Sequence, residues 1–348
     1  MTGAKLAMPG ESQMPKVEEK FLARNTSILP KSALAGLRIG VYQHSSVARD
    51  LFVDVLEWYG AEVIQLGRSE KFVPVDTEAV SPETIKLLKF WASDSELDAI
   101  VSADGDGDRP LVADEHGTPV RGDIIGMITA EFLAARVMVT PITSNSSLEK
   151  MSVSEVIRTR VGSPYVIAGM NEALGEDSRG VIGFEANGGV LTASDFIVNG
   201  TLLKALPTRD SFLPVLAMLN WRKNGGRPLS KLLADRTIPC ALSDRLENFP
   251  VEDSRALMSH LMESNGQLSY FLRDIGPVAE TNEVDGLRLI LKDRRIIHFR
   301  PSGNAPELRC YVEAPSQLAA EDLLQRGLDA VQAFRIGRYK MAAPSLVQ

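Results

Sequence analysis

Asp104, Asp106 and Asp108 stand two residues apart, separated by Gly105 and Gly107 and followed by Arg109. Three carboxylates so close repel one another unless something neutralises them. Glycine leaves the backbone free to curl, so their oxygens can converge on one hard cation instead of pointing apart as along a strand. So few protein ligands suit Mg²⁺, which prefers octahedral oxygen coordination and usually takes part of its shell from phosphate or water. That points to phosphate chemistry. The alternative is a polar Asp/Gly turn, which is what isolated Asp-Gly pairs usually form.

The surrounding pattern says what must position this loop. Leu37–Tyr42 reads as a buried strand. From Ser45 to Tyr59, Val47, Leu51, Phe52, Val55, Leu56 and Tyr59 recur at helical spacing, with Ser45 or Ser46 as the cap and Gly60 as the stop. A strand at Glu62–Leu66, a helix from about Pro82 to Ala92 and a strand at Asp98–Ser102 follow. Such alternation implies a parallel sheet with the acidic loop at a strand's C-terminal end, where open α/β sheets bind ligands. A second α/β unit is predicted from a helix at Asp123–Ala135, a strand at Arg136–Thr140, a helix at Tyr165–Leu174 and a strand at Val181–Phe184. A later helix, Asp210–Trp221, has Thr208 near its N-cap. After about Pro239 the pattern becomes antiparallel. Gly286–Lys292 and Arg295–Phe299 flank a tight turn at Asp293-Arg294, Glu307–Glu313 alternates with period two, and Leu318, Leu323, Leu324, Leu328, Val331 and Phe334 line one helix face.

Composition sets the outer bounds. A chain of 348 residues has room for two or three domains, and 44% hydrophobic with 24% charged residues is ordinary for a globular protein. A net charge of -7 argues against a general nucleic-acid binder. Cys240 and Cys310 are far apart and lack metal spacing, so a reducing cytoplasm and plain packing roles are expected. No apolar run approaches a membrane span, and the N-terminus has no apolar core of signal-peptide length. The stretch before Leu34 is polar, carries Pro9, Pro15 and Pro30, and shows no strand-helix alternation.

The motif Val101-Ser-Ala-Asp-Gly-Asp-Gly-Asp-Arg-Pro110 resembles the magnesium loop of the α-D-phosphohexomutases, the family of phosphomannomutase, phosphoglucomutase and phosphoglucosamine mutase. Gly183-Phe-Glu-Ala-Asn-Gly-Gly189 resembles its sugar-binding loop, and Arg300-Pro-Ser-Gly-Asn-Ala-Pro-Glu307 its phosphate-binding loop, in the order that family requires. The resemblance runs from about Leu34 to about Arg335. It implies two α/β phosphohexomutase-type domains with mixed sheets, then a C-terminal antiparallel-sheet-plus-helix domain. The expected division is 1–33 as a disordered remnant, 34–118 with the metal loop, 119–235 with the sugar loop, and 240–337 with the phosphate loop. The family's serine loop, Thr-Ala-Ser-His-Asn-Pro, does not occur in this sequence. Thr192-Ala193-Ser194 comes after the sugar loop, out of order, so Ser194 is not expected to be the nucleophile.

The resemblance implies roles residue by residue. Asp104, Asp106 and Asp108 would hold Mg²⁺, and Arg109 would steady the phosphate in flight or pair with its own aspartates. Glu185 and Asn187 would bind sugar hydroxyls, a solvated loop glutamate being the alternative; many relatives carry histidine where Gly189 stands. Arg300, Ser302, Gly303 and Asn304 would bind the non-reacting phosphate. Arg309 is either a second phosphate cation or an exposed strand residue, and Arg160 either a substrate contact or a surface charge. His44 reads as a cap or packed histidine before a phosphate ligand. The implied reaction converts mannose 6-phosphate to mannose 1-phosphate through a hexose 1,6-bisphosphate, for nucleotide-sugar and polysaccharide synthesis, with glucose and glucosamine specificities as alternatives. A sugar-phosphate-binding remnant without the phosphoserine domain is the other reading, and it allows a separate serine-domain polypeptide as partner. Neither nucleic acid nor membrane is an expected partner.

Overall fold

The computed structural model describes residues 14–153, 155–175, 180–303 and 305–342. They form two compact units. Of the described residues, the first holds those up to Thr140, those within Ser152–Ile157 and those within Gly162–Arg236; the second holds Pro141–Met151, Arg158–Val161 and those from Thr237 onward.

The first unit begins with helix α1 (Met14–Asn25), then alternates β1 (Arg38–Tyr42), α2 (Arg49–Trp58), β2 (Glu62–Leu66), α3 (Pro82–Ser95), β3 (Ala99–Ala103) and β4 (Pro110–Ala113). The sheet order is β2-β1-β3-β4, with β1 parallel to β2 and β3 and with β4 returning antiparallel. All five residues of β3 are buried, as an inner strand of a covered sheet requires. Next come α4 (Gly122–Phe132), β5 (Val137–Pro141), β6 (Glu155–Thr159), α5 (Ser163–Leu174), β7 (Val181–Phe184), β8 (Val190–Thr192), β9 (Phe196–Val198), β10 (Thr201–Leu203), β11 (Leu206–Asp210), α6 (Phe212–Gly225) and α7 (Leu229–Ala234). Five of these strands make a mixed sheet ordered β11-β8-β7-β5-β6, and β9 pairs with β10 apart from it.

Three local expectations are corrected here. The segment before Leu34 is not without structure: residues 14–25 are helical, and Asn25, Ile28 and Leu29 are buried. Phe21 of α1 meets Phe212 edge-on at 4.9 Å, and Phe212 stacks on Phe52 at 4.1 Å, an aromatic contact that helps seat a polar helix. The Tyr59 hydroxyl closes the arrangement, accepting from the N–H of Ile28 and Leu29, both at 3.1 Å, and donating to the Asn25 carbonyl at 2.6 Å. Second, neither Ser45 nor Ser46 caps α2, which starts after Ala48; Ser46 is spent on the acidic loop. Third, Thr208 lies inside β11, and the donors at the start of α6 are met by Asp210 Oδ1, bonded to Phe212 N at 2.8 Å and Leu213 N at 3.3 Å. Burial raises the Asp210 carboxyl above the usual range, opposed by those two bonds.

The second unit is an antiparallel sheet of β12 (Cys240–Leu246), β13 (Val278–Asn282), β14 (Leu287–Leu291), β15 (Ile296–Pro301) and β16 (Leu308–Ala314), ordered β12-β16-β15-β14-β13. Helices α8 (Val251–Glu263), α9 (Asn265–Phe271) and α10 (Gln317–Ala342) complete it. Leu287, Leu289, Leu291, Ile297, Phe299, Cys310 and Val312 form the core with Leu257, Leu261, Leu323 and Val331. The alternate strand positions Arg288, His298, Arg300, Arg309, Tyr311 and Glu313 belong to the opposite sheet face. Leu318, expected on the buried stripe of the last helix, is 77% exposed; in the same first turn it is Ala320 that is buried in the core. No described helix is long and apolar enough to cross a membrane.

Candidate active site

All three motif segments are the tips of antiparallel hairpins. Residues 104–109 join β3 to β4, with Ala103 opposite Pro110. Residues 185–189 join β7 to β8, with Phe184 opposite Val190. Residues 302–307 join β15 to β16, with Pro301 opposite Leu308. A hairpin tip fixes both ends of a loop to a sheet, so short loops there hold their side chains at repeatable positions.

The acidic loop is curled by bonds from Asp104 N to the Arg109 carbonyl at 3.0 Å and from Gly107 N to the Asp104 carbonyl at 3.1 Å. Gly107 has a φ of +79°, and a Cβ there would lie 3.0 Å from the Ala48 Cβ, so glycine is required. Donors from elsewhere hold the loop's carbonyls. His44 Nε2 donates to Ala103 at 2.7 Å, Ser46 Oγ to Asp104 at 2.8 Å, Val47 N to Gly105 at 3.1 Å and Ser211 Oγ to Gly107 at 2.6 Å. His44 is thus a packed histidine, and burial lowers its imidazole below the ordinary value.

The three carboxylates converge, one oxygen from each lying within 4.8 Å of the others; among the described residues they are the only such group of three. Asp104 Oδ1 accepts from the backbone N–H of Asp108 and Arg109, both at 3.1 Å. Burial foremost, then the neighbouring carboxylates, hold the carboxyls of Asp104 and Asp108 above the usual range. Asp108 Oδ1 is buried and makes no hydrogen bond. Crowded acids that resist ionisation, with an unsatisfied inward oxygen, are what a hard dication would relieve, so the donor set fits Mg²⁺. Arg109 Nε stands 3.7 Å from Asp104 Oδ2 and 3.8 Å from Asp108 Oδ1, the pairing with its own aspartates.

Glu185 is buried, and its Oε2 accepts from Ser163 Oγ at 2.8 Å. Asn187 Oδ1 accepts from Gly189 N at 3.0 Å, and its carbonyl accepts from Thr77 Oγ1 at 2.8 Å, so part of Asn187 shapes the loop itself. Between the two loops lies Arg209, with Nε 3.1 Å from Asp108 Oδ2 and Nη1 4.0 Å from Glu185 Oε2. The first unit therefore gathers Asp104, Asp106, Asp108, Arg109, Glu185 and Asn187 into one neighbourhood. Ser194 is buried, with Oγ accepting at 3.0 Å from the N–H of Val181, the first residue of β7.

The second unit holds the remaining candidates. Arg300 Nε donates to Asp285 Oδ2 at 2.6 Å, and the same oxygen accepts from Val161 N at 3.0 Å. Arg160 Nε donates to the Val284 carbonyl at 3.1 Å, so residues 284–285 tie Arg160 and Arg300 to one stretch of backbone. Ser302 N bonds the Glu307 carbonyl at 2.9 Å across the loop base, and Arg309 Nη2 is 3.7 Å from Glu307 Oε2. A Cβ on Gly303 would meet nothing within 4 Å, an open tip where a ligand could approach the backbone. Asn304 lies outside the described residues. Sequence reasoning missed Arg209, Ser163, Ser46 and Ser211; the one local signal was the cation of Leu206-Pro-Thr-Arg-Asp210 set just ahead of an apolar helix.

Three family models match in order. Residues 19–117 match phosphoglucomutase/phosphomannomutase α/β/α domain II, 121–239 match α/β/α domain III, and 246–330 match the C-terminal domain. A phosphomannomutase of Sinorhizobium fredii is 53% identical over 319 residues, covering 92% of this chain and 67% of its own. A phosphomannomutase of Salmonella muenchen is 41% identical, covering 91% and 66%. A phosphoglucosamine mutase of Lysinibacillus sphaericus is a more distant match at 28%, covering 83% and 57%. The chain thus spans about two thirds of the length of the phosphomannomutases it matches. Among solved structures, a phosphoglucomutase/phosphomannomutase family protein from Burkholderia thailandensis aligns with a TM-score of 0.66 at 19% identity, over 92% of this chain and 65% of that one.

Proposed function

The chain belongs to the phosphoglucomutase/phosphomannomutase family, and we propose that it serves the interconversion of mannose 6-phosphate and mannose 1-phosphate through a hexose 1,6-bisphosphate. The observation that carries this reading is the convergence of Asp104, Asp106 and Asp108 in a loop of the family's magnesium-binding sequence. Its similarity to proteins named phosphomannomutase, 53% and 41% identical, supports mannose over glucosamine. The same reading divides the chain at 34–118, 119–235 and 240–337 and puts it in the cytoplasm, supplying nucleotide-sugar synthesis.

In this proposal Asp104, Asp106 and Asp108 hold Mg²⁺, which when bound neutralises charge on a phosphoryl group. Arg109, beside that triad, turns from its aspartates to the phosphoryl oxygens in transfer. Glu185 and Asn187 accept and donate hydrogen bonds to sugar hydroxyls, with Ser163 fixing the Glu185 carboxylate. Arg300 keeps Nε on Asp285 and offers its outer nitrogens to the distal phosphate, with Ser302, Gly303 and Asn304 as further donors and Arg160 and Arg309 adding charge. The sequence 1–348 contains no Thr-Ala-Ser-His-Asn-Pro loop, so transfer is proposed to need a phosphoserine loop in addition to these residues.

Calorimetry with mannose 6-phosphate tests the reading. The chain with Mg²⁺ should bind it, and Arg300→Met should weaken binding by about 1.5–3 kcal/mol, the worth of a charge-assisted hydrogen bond. Mutase turnover should appear once a relative's serine-loop domain and a hexose 1,6-bisphosphate are added. Failure of the parent chain to bind any hexose phosphate would sink the proposal. Binding without turnover under those conditions would leave the binding-only reading as the better one.

A further inference from the structure

Arg209 reaches two loops at once because one residue has no side chain. Its stem crosses Gly189, where an added Cβ would lie 2.6 Å from Arg209 Cδ and 2.9 Å from Cγ. No real side chain fits there while Arg209 keeps its course. The backbone beneath is equally fixed, since the next residue, Asp210, is buried and bonded to the first turn of α6. From this anchored base the guanidinium places Nε against Asp108 Oδ2 and Nη1 toward Glu185 Oε2. A planar guanidinium offers donors on two edges in a fixed geometry, whereas an ammonium is a compact point charge whose donors rotate.

We propose that Arg209 is a positioning residue that couples the acidic loop to the Glu185 loop, with Gly189 as the space it requires. By taking Oδ2, Arg209 fixes the Asp108 carboxylate so that Oδ1, which has no hydrogen bond, stays available to a metal. Its other edge and Ser163 together set the Glu185 carboxylate. Partners of this kind orient metal ligands, and losing one commonly costs about 10- to 100-fold in metal affinity. A bystander cation would act the other way, because removing a positive charge beside a metal site tightens metal binding. The two roles therefore predict opposite signs.

The test measures Mn²⁺, a paramagnetic stand-in for Mg²⁺ with the same oxygen preference, by loss of its free resonance signal. Arg209→Met should weaken Mn²⁺ about tenfold. Gly189→Ala, which leaves every charge in place, should do the same by displacing Arg209. The double variant should be no weaker than either single one, because both act through one side chain. Arg209→Lys should recover part of the Mn²⁺ affinity. In a second arm, mannose 6-phosphate should bind about tenfold more weakly to the Met and Ala variants, while inorganic phosphate, read by the Arg300 loop, binds as before. That arm rests on the functional reading above; the Mn²⁺ arm does not, and it decides this inference even if the parent ignores hexose phosphates. Unchanged or tighter Mn²⁺ in Arg209→Met, or losses that multiply in the double variant, would overturn it.

Discussion

Replacing Tyr59 with phenylalanine removes one oxygen and should loosen the whole N-terminal segment. Tyr59 is fully buried at the end of α2, and its hydroxyl serves two N–H groups and one carbonyl between residues 25 and 29. At roughly 1 kcal/mol net per hydrogen bond the loss is about 3 kcal/mol. The vacated space is smaller than a water, so the stranded donors at Ile28 and Leu29 gain no substitute. For a unit of this size about 3 kcal/mol corresponds to a fall of roughly 6–12 °C in melting midpoint. The assay has a local reporter, because the chain's three tryptophans, Trp58, Trp91 and Trp221, all belong to the first unit. Tryptophan-detected melting should show the fall, and trypsin should cut sooner at Arg24 and Lys31, which flank the anchored stretch. A midpoint within about 2 °C of the parent, with unchanged tryptic kinetics, would show that the hydroxyl is not the anchor.

Asp106→Asn should weaken Mn²⁺ at least about tenfold, since one of three converging charges is lost, yet leave the metal-free protein equal or slightly more stable because a repulsion is relieved; a stable variant with parental Mn²⁺ affinity would refute the triad. His298 gives a pH prediction. It is 2% exposed, and burial, helped by the charge of Arg288 and opposed by its bond to the Asp285 carbonyl, pushes its imidazole down to about 4. A folded value below the unfolded one, about 6.5, means that the unfolded chain takes up the proton first. The stability at stake is therefore complete above pH 6.5 and is lost as the pH falls toward 4. It amounts to about 3 kcal/mol. His298→Gln keeps a donor for Asp285, so the stability gap between parent and variant should narrow by that amount from pH 7 to pH 4 in urea titrations; a constant gap would refute it.

The sequence made the three loops legible because each is a contiguous hairpin tip whose residues are chain neighbours. The β14–β15 hairpin was legible for the same reason: Asp293-Arg294 sits between two alternating runs, and Arg294 adopts a φ of +70° there. Arg209 was not, because its partner Asp108 lies in another hairpin and the link depends on a glycine from a third segment. The N-terminal segment was hidden too. Its composition is polar, and its burial rests on Phe21 and on a hydroxyl supplied by Tyr59, which no local periodicity reveals. Ser45 and Ser46 misled for a related reason: a serine ahead of an apolar run reads as a helix cap, while Ser46 here holds a carbonyl of the acidic loop.

The interleaved make-up of the second unit has a consequence in time. Ser146 N bonds Glu313, a residue 167 positions later, and Arg160 bonds the Val284 carbonyl 124 positions later. At about 5–20 residues per second of synthesis, residue 146 waits roughly 10–30 s for its sheet to exist. The partners of Arg158 do not wait in this way. It pairs with Glu149 nine residues back and bonds the carbonyls of Pro141, Ser144 and Asn145, all already made. This clasp, unlike the bonds to Glu313 and Val284, therefore has all its partners in the chain long before the last strands are made.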